Sequence, residues 1–88
     1  MKILKFQATW CKPCSTLSQL INTIKDNVSV IEIEEVDIDQ NTDLALKYEI
    51  RGIPTMLKFD DHGNMIDKIK GIPARDALIS FIKKEDSQ

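Results

Sequence analysis

Trp10-Cys11-Lys12-Pro13-Cys14 holds both cysteines of the 88-residue chain and opens its first helical pattern. The stretch follows the apolar run Ile3-Leu4-Lys5-Phe6. It precedes Leu17, Leu20, Ile21 and Ile24, which share one helical face with Cys14. Cys11 therefore falls where a strand gives way to a helix N-terminus, and there the free backbone N–H groups and the positive end of the helix dipole favour thiolate over thiol. Lys12 adds positive charge, and Pro13 suits a first turn whose N–H groups have no helical partner. Cys14, further in and on the apolar stripe, is expected to be the sheltered thiol. An exposed nucleophile backed by a sheltered resolving thiol suits disulfide exchange.

Other uses of the two thiols fit less well. A structural zinc site takes four Cys or His ligands, and beyond its cysteine pair this chain offers only the distant His62, so no metal is expected. A purely structural disulfide at this spacing closes a very short loop and constrains the unfolded chain little. Cys-x-x-Cys beside a βαβ pattern points to redox chemistry instead.

Length and composition suggest one domain, residues 1–88, with room for a single core. Hydrophobic residues at 42% and charged residues at 30% are ordinary for a globular chain, and a net charge of −2 suggests neither nucleic acid nor an acidic membrane as partner. Met1-Lys2-Ile3 leads straight into a strand pattern without an apolar leader. The expected setting is the cytoplasm, where a cysteine pair is more often catalytic than structural, and the expected state is a monomer.

Taken in order, residues 2 to 7 read as a buried strand and 12 to 26 as a helix. A β-branched run from Val28 to Val36 reads as a second strand, parallel to the first through a right-handed crossover. Asn41 or Thr42 caps a short helix through about Tyr48, with Leu44, Ala45 and Tyr48 on one side. Gly52 and Pro54 end it, and Thr55 to Phe59 form a third strand. Asp60-Asp61-His62-Gly63-Asn64 is a turn signal with His62 at its tip, so Met65 to Lys70 pair with the third strand as a hairpin. After Gly71, Pro73 starts a last helix buried through Ala74, Ala77, Leu78, Phe81 and Ile82, and Lys83 to Gln88 fray.

This order, βαβ-α-ββα with Cys-x-x-Cys after the first strand, resembles the thioredoxin family. The resemblance rests on Phe6 and Ala8, Trp10-Cys11, Pro13-Cys14, Val36 to Asn41, Tyr48, Ile50-Arg51-Gly52-Ile53-Pro54-Thr55, Gly63 and Gly71. The N-terminal strand and helix usual in the family have no counterpart in these residues. What remains implies an α/β, thioredoxin-like fold: a four-stranded mixed sheet of order 2-1-3-4 with three flanking helices. Its second strand would be an exposed edge, and Glu32 and Glu34 would discourage edge-to-edge pairing.

The resemblance further implies a cis bond before Pro54, which would turn the Ile53 backbone toward the cysteines to pair with a substrate segment. Trp10, Gly52, Ile53, Gly71 and Ile72 would then form an apolar docking face around Cys11. Three departures stand out. Lys12 occupies a position usually held by Gly, and Ile72 is larger than the small residue expected. The family's buried Asp and its Lys partner, a proton relay to the resolving thiol, are matched by Lys5 and Glu35, with the signs exchanged. A buried Lys5–Glu35 ion pair beneath Cys14 is therefore expected.

The implied activity is thiol–disulfide exchange that reduces protein disulfides, with Cys11 as nucleophile, Cys14 resolving, no cofactor, and electrons from a reductase of the thioredoxin-reductase kind or from glutathione. A glutaredoxin-like enzyme is an alternative favoured by the short length and disfavoured by Gly71-Ile72, where a glycine pair is usual. A non-catalytic binding subunit is another, and an iron–sulfur scaffold shared across a dimer is a further possibility in the superfamily. Two intact cysteines count against the binding subunit.

Overall fold

Alternation along the first strand sets the layers of the molecule. In the computed structural model, which describes residues 1–25 and 32–84, β1 (Lys2–Gln7) sends Ile3 and Lys5 to one face and Leu4 and Phe6 to the other. α1 (Lys12–Ile24) follows, then β2 (Glu32–Asp37), α2 (Thr42–Lys47), the hairpin of β3 (Thr55–Phe59) and β4 (Met65–Lys70), and α3 (Arg75–Lys83).

The sheet order is β2-β1-β3-β4, with β1 parallel to β2 and antiparallel to β3, and β3 antiparallel to β4. On one face Leu17, Ile21 and Ile24 of α1 and Leu78, Phe81 and Ile82 of α3 pack on Ile3 and Met56. On the other, Leu4, Phe6, Val36, Leu57 and Phe59 meet Leu44, Tyr48 and Ile50 around α2. Central β3 is buried at every position, whereas edge strand β2 keeps Glu32, Glu34 and Glu35 exposed. The expected α/β fold and sheet order are those observed.

Element ends differ in small ways. The last helix begins at Arg75, because Ala74 after Pro73 keeps an extended backbone and serves as its N-cap; Ala74 and Ala77 are exposed and leave burial to Leu78, Phe81 and Ile82. α1 closes at Ile24 instead of residue 26. The second strand runs on to Asp37, while its expected start from Val28 to Ile31 and the expected fraying of residues 85–88 lie outside the described residues. The hairpin turn is built by Asp60, whose carboxylate accepts from the N–H groups of His62 at 2.8 Å and Asn64 at 2.9 Å, while Gly63 takes φ 85°.

The interior also holds a lysine that the apolar pattern of β3 hides. Lys58 is fully buried, facing α3, and its ammonium donates to the backbone oxygens of Phe81 at 2.9 Å, Ile82 at 2.6 Å and, closer still, Lys84. The C-terminal carbonyls of a helix lack intrahelical donors and carry the negative end of its dipole. One cation from the central strand thus serves three backbone oxygens at and just past the end of α3.

Candidate functional site

Cys11 is the N-cap of α1, held there by a hydrogen bond from its own N–H to the Ala8 oxygen at 3.1 Å. Its sulfur accepts from the backbone N–H of Cys14 at 3.1 Å, the bond that a capping side chain makes at a helix start. The two cysteines are joined as a disulfide with a Cα–Cα separation of 5.3 Å. Both are buried, Cys11 at 7% exposure and Cys14 at 3%, so position on the helix separates them more than exposure does. Cys11 stands at the dipole's positive end and Cys14 lies within the first turn. Ala8 completes their cluster, with Ile38 and Ile53 packed against it.

The other expected docking residues gather at the same end of the sheet. The Ile53-Pro54 bond is cis, and the Pro54 oxygen accepts from Gly71 N–H at 2.8 Å, which ties the loop before β3 to the one after β4. Gly71 takes φ 74°, a conformation costly for residues with a Cβ. Gly52 is exposed and its oxygen accepts from Thr55 Oγ1 at 2.7 Å. Ile72 and Trp10 are exposed at 46% and 67%, although large apolar side chains usually cover themselves. The Trp10 indole is nevertheless fixed: Nε1 donates to Asp39 Oδ2 at 2.8 Å, and the Asp39 N–H donates to Asp37 Oδ1 at 2.8 Å.

Lys5 and Glu35 do not form the expected buried ion pair. They are register partners across β1 and β2, and Lys5 is buried, but its ammonium donates to Gln7 Oε1 and to Ser18 Oγ, the latter at 2.8 Å. Glu35 is exposed. The reason lies in strand order: β2 is an edge, so a side chain on its α1 face reaches solvent past the helix rim, whereas the neighbouring position on β1 has α1 above it. Lys5 and Glu35 instead share a 340 Å³ cavity with Ser18, Ile21, Asn22, Lys25 and Ile33. Burial lowers the pKa of Lys5 from its ordinary 10.5, and the Glu35 charge raises it in part. Ser18 lies four residues after Cys14 and hence on its helix face. That spacing could have placed it on the face of the resolving thiol from sequence alone.

Asp39 also went unassigned by sequence reasoning, although it lies in the Val36 to Asn41 stretch. Asp39 is 29 residues from Trp10 in sequence, and only the fold brings it to the indole. No group of three or more His, Cys, Asp or Glu side chains suited to a metal occurs among the described residues.

Comparison with known proteins agrees with this geometry. The family model described as Thioredoxin matches residues 1–84. Mitochondrial thioredoxin of Bos taurus is 39% identical over 83 residues, covering 93% of this chain and 49% of that protein, so the chain spans about half the length of that relative. Thioredoxin of Staphylococcus epidermidis is 33% identical over 85 residues, covering 96% of this chain and 81% of that protein. Among solved structures, Fasciola hepatica thioredoxin superposes with a TM-score of 0.79 at 28% identity, covering 92% and 76% of the two chains. A malaria-parasite thioredoxin-2, titled a component of protein secretion machinery, superposes with a TM-score of 0.82 at 26% identity, covering 93% and 80%. With a cysteine pair at the start of α1 and a family match over nearly its whole length, the chain belongs to the thioredoxin family.

Proposed function

We propose that the chain is a thiol–disulfide oxidoreductase that reduces protein disulfides. The observation that carries this reading is the Cys11–Cys14 disulfide at the start of α1, with Cys11 Sγ accepting from Cys14 N–H. In the reduced enzyme the same helix start stabilises a Cys11 thiolate. That thiolate attacks one sulfur of the substrate disulfide: a Cys11–substrate S–S bond forms, the substrate S–S bond breaks, and the departing thiolate takes up a proton. Cys14, deprotonated, then attacks Cys11 Sγ. The Cys11–Cys14 bond forms, the second substrate thiol leaves, and two electrons have passed to the substrate.

Lys5 and Glu35 have roles in the second step. The Lys5 ammonium, bonded to Ser18 one helical turn beyond Cys14, favours the Cys14 thiolate as a cation on the same helix face does. Glu35, the one carboxylate among the lining residues of the same cavity, receives the proton at the solvent side. Trp10, Gly52, Ile53, Pro54, Gly71 and Ile72 hold the substrate segment, which pairs with the Ile53 backbone as a short added strand. The enzyme works as a monomer in the reducing cytoplasm, and its electrons return from a thioredoxin-reductase-like enzyme or from glutathione.

The test is reduction of a protein disulfide such as that of insulin, with electrons supplied in parallel by a thioredoxin reductase and by glutathione. Turnover with the reductase and little with glutathione supports this reading. Turnover with glutathione alone favours the glutaredoxin-like alternative, and none with either donor or with a chemical dithiol favours a binding subunit.

A further inference from the structure

On the face opposite α1 and α3, the sheet carries an open hollow of 550 Å³ lined by Lys47, Tyr48, Glu49, Arg51, Met65, Lys68 and Lys70. Four of the chain's 12 cations line it with only one of its 14 acids, an inversion of the overall charge of −2. None of the four is in an ion pair among the described residues; Lys47 only lies over the Tyr48 ring, at 5.3 Å. Lys68 and Lys70 sit on edge strand β4, where lysines discourage sheet extension. Edge protection does not account for Lys47 and Arg51, which come from α2 and the loop after it. Four exposed like charges around one hollow give it a positive potential that attracts anionic groups.

The hollow adjoins the docking face along the chain. Arg51 directly precedes Gly52-Ile53, Lys70 directly precedes Gly71-Ile72, and the Gly71 N–H to Pro54 oxygen bond fastens the two segments together. An extended segment advances about 3.3 Å per residue, so a chain paired at Ile53 passes from the docking face to the hollow within about two residues.

We propose that this basic hollow selects disulfide substrates whose polypeptide carries Asp or Glu within a few residues of the reacting cysteine. The proposal rests on the reductase reading for the reaction, and not for the attraction itself. An acidic flank is drawn toward the hollow during approach and held there by exposed charge pairs, so the effect falls mainly on association and weakens with salt.

The experiment compares three synthetic peptides, each with one cysteine in a mixed disulfide with a chromogenic thiol, and with Asp, Asn or Lys at the second to fifth positions on either side. At low ionic strength the Asp peptide should react with the reduced protein at least about tenfold faster than the Asn peptide, and the Lys peptide slower. At about 0.5 M salt the three rates should converge. Lys68→Glu with Lys70→Glu should remove or reverse the preference while leaving the Asn peptide rate unchanged. Equal rates for Asp and Lys peptides at low salt, or a preference that survives the double variant, overturns the proposal. Should the protein reduce none of the peptides, the reductase reading fails by itself, and fluorescence anisotropy of a labelled Asp peptide with Ser in place of Cys decides the surface. Binding lost in the double variant sustains it, and no binding, or binding equal to that of the Lys peptide, overturns it.

Discussion

Lys5 Nζ donates to Ser18 Oγ at 2.8 Å, which places a buried ammonium on the helix face that also carries Cys14. Burial disfavours its charged form, and the Glu35 charge at the surface offsets this only in part, with no Lys5 ion pair among the described residues. With the folded-state pKa below 10.5, the unfolded chain binds the proton more readily. The native state therefore carries the full penalty below that lowered pKa and regains stability as pH rises toward 10.5. Lys5→Met should accordingly be more stable than the parent near neutral pH, by on the order of 1 kcal/mol, with the advantage shrinking at alkaline pH. Urea unfolding at neutral and alkaline pH checks both parts, and a large loss of stability in Lys5→Met would contradict them.

The same substitution should slow the resolving step. Without the cation, the Cys14 thiolate loses a favourable charge on its helix face, and resolution of the mixed disulfide should slow about tenfold at neutral pH. Stopped-flow resolution rates across pH give the comparison.

Glu35→Gln separates the two groups. An exposed carboxylate on an edge strand contributes little to the fold, so its loss should change stability by less than about 0.5 kcal/mol. Resolution should nonetheless become slower above neutral pH if the proton leaves by that side of the cavity. Unchanged kinetics across pH would confine the effect to Lys5.

Lys58 should behave oppositely to Lys5. Its ammonium serves the backbone oxygens of Phe81, Ile82 and Lys84, so Lys58→Met strands buried acceptors at the end of α3. A loss of about 2–3 kcal/mol is expected, seen as a lower urea midpoint at unchanged slope, with faster amide exchange in α3. Since Lys58 bonds the far end of α3 and neither it nor those oxygens belong to the Ala8, Cys11 and Cys14 cluster, the chemical step should change far less than stability does.

Asp39→Ala should free the indole of Trp10, the chain's single tryptophan. Fluorescence anisotropy should fall and disulfide reduction should slow several-fold, while global stability moves by no more than about 1 kcal/mol. An unchanged anisotropy would mean that the hydrogen bond does not hold the ring.

Most of the fold was legible because its signals are local. The short apolar run within residues 2–7, the Asp60 to Asn64 turn and the Cys14 to Ile24 stripe each specify an element without reference to the rest. The cis Ile53-Pro54 bond came from resemblance, since propensity alone favours trans. Sequence failed where a side chain's fate depends on what lies across the sheet. Lys5 and Glu35 share a register, and the match to the family's buried pair with exchanged signs made them look like a buried pair. Only the position of α1 over β1, with β2 left as the rim, decides that one is covered and the other is not. Lys58 shows the same limit: a lysine within Met56 to Phe59 gave no sign that the end of α3 would come to rest on it.

The central claim, that Cys11 attacks and Cys14 resolves, is tested most directly by trapping. Cys14→Ser and Cys11→Ser, each reduced and mixed with a disulfide protein, are resolved by non-reducing electrophoresis and mass spectrometry. Cys14→Ser should accumulate a mixed disulfide through Cys11, and Cys11→Ser should yield little or none on the same timescale. Preferential capture through Cys14 would contradict the account.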